Sequence, residues 1–151
     1  MRRLIYLLPT LGLLVSLTSV VTAQAERLAG SDQGGRPLSA TLLGSNEVPA
    51  APNTSSGAAA FTVNVGQGEL CYSIEFNTTE TVVAAHIHHA AAGNVAPPLI
   101  PLSAPVAGTS SGCASVDRSI LKDILLNPGD YYLNVHTSAH PAGAGRGQLT
   151  K

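Results

Sequence analysis

The chain has 151 residues and a formal net charge of −1, with 11% charged residues against 15 Gly and 10 Pro. That length suits one domain, and the turn-rich, weakly charged composition suits a β-domain with Ser, Thr and Asn on its surface. With eight Lys and Arg in all and no basic run, nucleic acid and anionic membranes are poor candidate partners.

Taken from the start, Arg2-Arg3, the apolar run Leu4 to Val21 and Ala23-Gln24-Ala25 read as a secretory signal peptide over residues 1–25. Pro9, Gly12, Ser16 and Thr18 interrupt the run, which argues against a permanent membrane anchor. The expected location is therefore extracellular or periplasmic, with the mature chain starting at Glu26. Removing Arg2 and Arg3 leaves it acidic. Glu26 to Pro37 is polar and Gly-rich without periodicity and reads as a flexible tail, so the folded domain is expected over 38–151. Cys71 and Cys113 are the only cysteines, and in an exported protein they are expected to pair as a disulfide.

Leu38 to Val48 predicts a first strand, ended by Pro49. Phe61, Val63 and Val65 alternate with Thr62 and Asn64, Gly66-Gln67-Gly68 turns, and Leu70, Tyr72, Ile74 and Phe76 alternate with Cys71, Ser73 and Glu75. This is the hairpin pattern of an antiparallel sheet with one face on a core. Asn77-Thr78-Thr79 and Asn53-Thr54-Ser55 match the glycosylation sequon. Val82 to His89 predicts a strand, Pro97 to Pro105 an extended edge or loop, and Thr109 to Gly112 a turn leading to Cys113. Asp117 to Leu126 is the one helical stretch, capped by Asp117 or Ser119 and stopped at Asn127-Pro128-Gly129. Asp130 to Thr137 predicts a strand with Tyr131, Leu133, Val135 and Thr137 on one face and Tyr132, Asn134 and His136 on the other. Gly143 to Gly147 is glycine-rich, with Gln148-Leu149 as a last strand.

The chemistry-bearing residues are histidines. In Ala85-His86-Ile87-His88-His89, alternate side chains share a strand face, so His86 and His88 point together and His89 points away. Two such imidazoles lie roughly 7 Å apart at Cβ, a workable spacing for two ligands of one ion. His136 and His140 lie on or just after a later strand. The expectation is a transition-metal site of His86, His88 and His136, with His140 or His89 as a further ligand. An imidazole set of this kind suits copper, with zinc as the alternative. Such a site requires ring nitrogens about 3–4 Å apart, for ligands at roughly 2.0–2.1 Å from one ion. The competing reading is structural: His86 pairs with Asn134 and Thr137 in a polar layer, and Arg146 binds carbonyls or Glu47. No Gly-x-Ser-x-Gly elbow, no glycosidase-like carboxylate pair and no phosphate-cradling loop is present.

Four segments in order resemble the CHRD domain, found repeated in the animal antagonist chordin and singly in many bacterial secreted proteins. They are Asn46-Glu47-Val48-Pro49, Ala85-His86-Ile87-His88 with Gly93, Asn127 to Thr137, and Pro141-Ala142-Gly143 with Arg146-Gly147-Gln148-Leu149. Where that family commonly has Glu-Ile before the arginine, this chain has Ala144-Gly145. The resemblance covers roughly residues 38 to 150 and implies an all-β, antiparallel, Greek-key-like β-sandwich with one short helix. The His-x-His strand, a later histidine and the glycine-flanked Arg146 are also similar in pattern to Cu/Zn superoxide dismutases. That likeness implies a superoxide-dismutase-like sandwich and, if the site is redox-active, Arg146 guiding a small anion such as superoxide. The alternative function is a non-catalytic extracellular binding or structural module.

Overall fold

In the computed structural model, which describes residues 34–52 and 54–151, eight strands and one helix follow one another along the chain. The strands are β1 (Arg36–Leu43), β2 (Ser56–Asn64), β3 (Glu69–Asn77), β4 (Val82–His89), β5 (Pro98–Leu102), β6 (Thr109–Ser115), β7 (Tyr131–Thr137) and β8 (Gly145–Gln148). All pairings are antiparallel, in the order β5-β4-β7-β8-β1-β2-β3-β6. The two edge strands β5 and β6 approach each other, so the sheet nearly closes into a barrel-like sandwich. The expected all-β, antiparallel fold with one short helix is the observed one. The signal-peptide segment and the sequon at Asn53 lie outside the described residues.

Alternation sets the core. Leu38, Ala40 and Leu42 of β1, Phe61 and Val63 of β2, and Leu70, Ile74 and Phe76 of β3 all point inward and are buried. Ile87 meets Leu133 across the β4–β7 pair, completing the inner layer with Val135 and Leu149. The helix α1 (Arg118–Leu126) starts where Asp117 Oδ1 accepts the Ser119 N–H at 2.7 Å. It plugs the barrel with Leu121 and Ile124, both fully buried. The Tyr131 hydroxyl, donating to Asp123 Oδ2 at 2.6 Å, fastens it to β7.

Boundaries of β1, β6 and β8 differ from expectation. β1 begins at Arg36, inside the stretch read as tail, because Arg36 and Pro37 still pair with Val63 and Thr62. It ends at Leu43 rather than Val48, since Gly44–Asn46 form a 3₁₀ turn in which Gly44 O accepts the Glu47 and Ala51 N–H groups. The segment read as a turn at Thr109 is the polar edge strand β6, whose backbone ladder with β3 needs no apolar alternation. The last strand is the glycine-rich Gly145–Gln148 itself. At Gly147 a Cβ would collide with the Thr41 backbone, so only glycine lets β8 lie so close to β1. Cys71 and Cys113 are opposite one another in the β3–β6 ladder and form the expected disulfide.

Candidate metal centre

The face of β4, β7 and β8 that turns away from the core would normally meet water. Here it carries Tyr132, Asn134 and His136 from β7, His86 and His88 from β4, and Arg146 and Gln148 from β8. Three loops fold over it and convert it into a second, polar interior. Asn46 donates to Arg146 O at 3.1 Å, Arg146 donates to Asn94 O at 2.8 Å and to Ala91 O at 3.3 Å, and Asn134 donates to Ala142 O at 3.4 Å. The result buries Asn134 and Arg146 to 3% and 2% exposure, a burial that polar groups tolerate only when partnered.

Register explains how the imidazoles meet. His86 is opposite Asn134 and His88 is opposite Tyr132, while His136 is opposite Ala84, so His136 stands diagonal to His86. His86 Nδ1 lies 3.2 Å from His136 Nε2, and one nitrogen of each of His86, His88 and His136 lies within 4.8 Å of the others. One pair thus meets the expected spacing, and the set as a whole is somewhat wider.

Backbone carbonyls fix which nitrogen each ring presents. His88 Nδ1 is 2.9 Å from Ala96 O and His136 Nδ1 is 3.1 Å from Pro141 O. A carbonyl only accepts, so each Nδ1 carries the hydrogen and each Nε2 keeps a bare lone pair. His88 Nε2 is buried with no hydrogen-bond partner. A nitrogen lone pair left open inside a protein is costly, and a ring oriented by a carbonyl on its far side is the arrangement metal-ligating histidines share. Burial is the first cause holding His86, His88 and His136 below the usual imidazole range. Their mutual proximity adds to this for His88 and His136, so the rings are held neutral, as ligands must be.

Tyr132, on the middle strand, takes part through stacking. Its ring lies parallel to His88, centroids 4.7 Å apart, and the Arg146 guanidinium sits 3.4 Å from its centroid. Arg146 also donates through Nε and Nη2 to Gln148 Oε1, at 3.3 and 3.1 Å. Its donors are thus largely committed inside the layer, on the carbonyls that the structural reading foresaw. Above it Glu47, 8% exposed, accepts from Asn134 Nδ2 at 3.3 Å; burial pushes its carboxyl up to about 7, against the pull of Arg146, Asn134 and His140.

The remaining histidines lie elsewhere. His140 Nδ1 is 2.9 Å from Glu80 Oε2, which also accepts from the Thr137 hydroxyl, and His140 is not among the three converging rings. His89 is exposed and stacks on Tyr131 at 4.3 Å. Sequence reasoning passed over Glu80, Tyr132 and the carbonyls of Ala96 and Pro141. The carbonyls belong to loop backbone and carry no residue signature, whereas Tyr132 was visible as the strand neighbour of His88 once register is known.

No helix among the described residues is long and apolar enough to cross a membrane. No curated protein and no solved structure matches the chain. The CHRD family model matches residues 38–149, nearly the whole described chain, and CHRD domains are of the extracellular type. The chain therefore belongs to the CHRD domain family.

Proposed function

We propose that this exported CHRD domain binds one transition-metal ion, copper in preference to zinc, through His86 Nδ1, His88 Nε2 and His136 Nε2. The observation that carries the reading is one nitrogen from each of the three rings within 4.8 Å of the others, together with the buried, unpartnered His88 Nε2. Three neutral nitrogen donors with no carboxylate or thiolate among them favour copper over zinc by the usual order of divalent affinities. The chain's part is to orient: Ala96 O and Pro141 O hold two tautomers, and Tyr132 clamps the His88 ring. His86 Nδ1 donates to His136 Nε2 in the metal-free layer and presents its lone pair once the hydrogen moves to Nε2. Loading would draw the three nitrogens, now within 4.8 Å of one another, towards the roughly 3–4 Å separations that ligands at about 2.0–2.1 Å from one ion require. His140, held by Glu80, acts through the loop it anchors. Equilibrium titration with copper and zinc tests this: binding tighter than about micromolar is expected, lost on His86→Ala with His88→Ala, and unchanged binding in that variant refutes it.

Bound copper would supply one-electron chemistry, and superoxide is the small anion that the superoxide-dismutase-like pattern suggests. Arg146 then acts through its field rather than by direct contact, its donors being occupied. A superoxide-consumption assay on the copper-loaded protein, with chelator present to remove free copper, decides it. No rate above that control leaves a non-catalytic metal-binding module.

A further inference from the structure

Glu47 hangs from the turn after β1 over the middle of β7. It and Asn134 are joined by one hydrogen bond, Asn134 Nδ2 to Glu47 Oε2, and each has a second buried oxygen with no partner: Glu47 Oε1 and Asn134 Oδ1. Both orphans are acceptors as long as the carboxyl is ionised, and two acceptors cannot satisfy each other. A single hydrogen on Glu47 Oε1 makes them complementary. With that hydrogen shared between the two orphan oxygens, acid and amide would close a ring of two hydrogen bonds, and both orphans would disappear together. An open buried acceptor is costly, so the ring is the state the layer favours.

The surroundings agree. The charged and titratable groups facing Glu47 are Arg146 from β8 and His140 from the loop after β7, and both favour the carboxylate; burial outweighs them. Gly143, at φ +144, brings its backbone so near that a Cβ there would overlap the carboxyl, closing that side. On the other side Glu47 lines a cleft of about 440 Å³ with Ser45, Asn46, Gly93 and Arg146, a way out for a proton. Asn134 lies in register between His86 and Arg146, so it couples the carboxyl to the histidine layer.

We propose that Glu47 stands as a neutral carboxylic acid paired with Asn134, and that it releases its proton when the three-histidine site takes up a cation. The second half rests on the metal-binding reading. In that step the Glu47 O–H bond breaks, the proton leaves to solvent, and the carboxylate charge stays behind to offset the ion in a layer that otherwise holds only the buried Arg146 charge. No electron is transferred.

Two measurements on the folded protein test this separately. Infrared spectra of the wild type, without metal, titrated from pH 5 to 9, are expected to show a protonated-carboxyl band lost with a midpoint near 7, and absent from Glu47→Gln. No such band above pH 5.5 overturns the neutral acid, and needs no variant to do so. Calorimetric titration with Cu²⁺ at pH 6.0, in two buffers of different ionisation enthalpy, then counts protons. The wild type is expected to release close to one more proton per ion than Glu47→Gln; equal release overturns the coupling. If Cu²⁺ binds neither protein, the metal reading falls and the coupling with it, while the infrared band still decides the acid.

Discussion

At His88 one ring meets three constraints: a carbonyl on Nδ1, a parallel tyrosine on one face and an unpartnered Nε2. Replacing it with alanine is therefore expected to weaken copper binding by at least about 100-fold, more than loss of a supporting group. His140→Ala, which touches the loop and not the ion, is expected to weaken binding by about 10-fold at most. Parallel titrations of the two variants check both, and equal losses would place His140 among the ligands. Arg146→Met removes donors from the Ala91 and Asn94 carbonyls and a cation from the Tyr132 face. A loss of about 2–4 kcal/mol in urea denaturation is expected. The pH dependence belongs to the same scale. Glu47 is raised in the fold, so its contribution is fully present below about 4.5 and is lost as pH rises through about 7. Glu47→Gln removes that loss, so its stability relative to wild type should improve by about 2–3 kcal/mol between pH 4.5 and 8.

Among the elements, strands with one apolar face were readable directly. β2, β3, β4 and β7 follow from period-two alternation, and the helix follows from its Asp117 cap and apolar spacing. Alternation also foretold that His86 and His88 share a face with each other and not with Ile87. It could not foretell β6, a run of Thr, Ser and Gly whose place is set by the β3 backbone beside it, nor β8, where glycine is used for closeness. The role of Pro141 was invisible for a related reason: its carbonyl reaches His136 because the loop from 138 to 143 folds back, with His140 clipped to Glu80. The β3–β6 edge carries its own expectation. Cys71 and Cys113 bridge directly opposed residues, and reducing them should cost about 3–4 kcal/mol in thermal or urea unfolding. Faster amide exchange confined to β6 and its β3 partner strand would accompany it; uniform loosening of the whole sheet would contradict an edge-strand role.

For the molecule as a whole, one sheet does two jobs. Its inner face makes an apolar core closed by α1. Over β4, β7 and β8 its outer face makes a polar interior roofed by loops, which gathers the unpartnered buried side-chain atoms found among the described residues, Glu47 Oε1, His88 Nε2 and Asn134 Oδ1. Core folding needs none of them: Glu47 Oε1 and Asn134 Oδ1 are met by the proposed acid–amide pair, and His88 Nε2 is the atom left for the proposed ion. Metal binding should therefore stabilise the fold through mass action, by about 4 kcal/mol at a thousandfold excess over the dissociation constant. X-ray absorption on the protein loaded with one equivalent of copper is the most direct measurement. The account predicts a nitrogen shell near 2.0 Å with outer scattering from three imidazoles, falling to two in His88→Ala. Absence of imidazole scattering in the wild type, or a spectrum unchanged by that substitution, would contradict it.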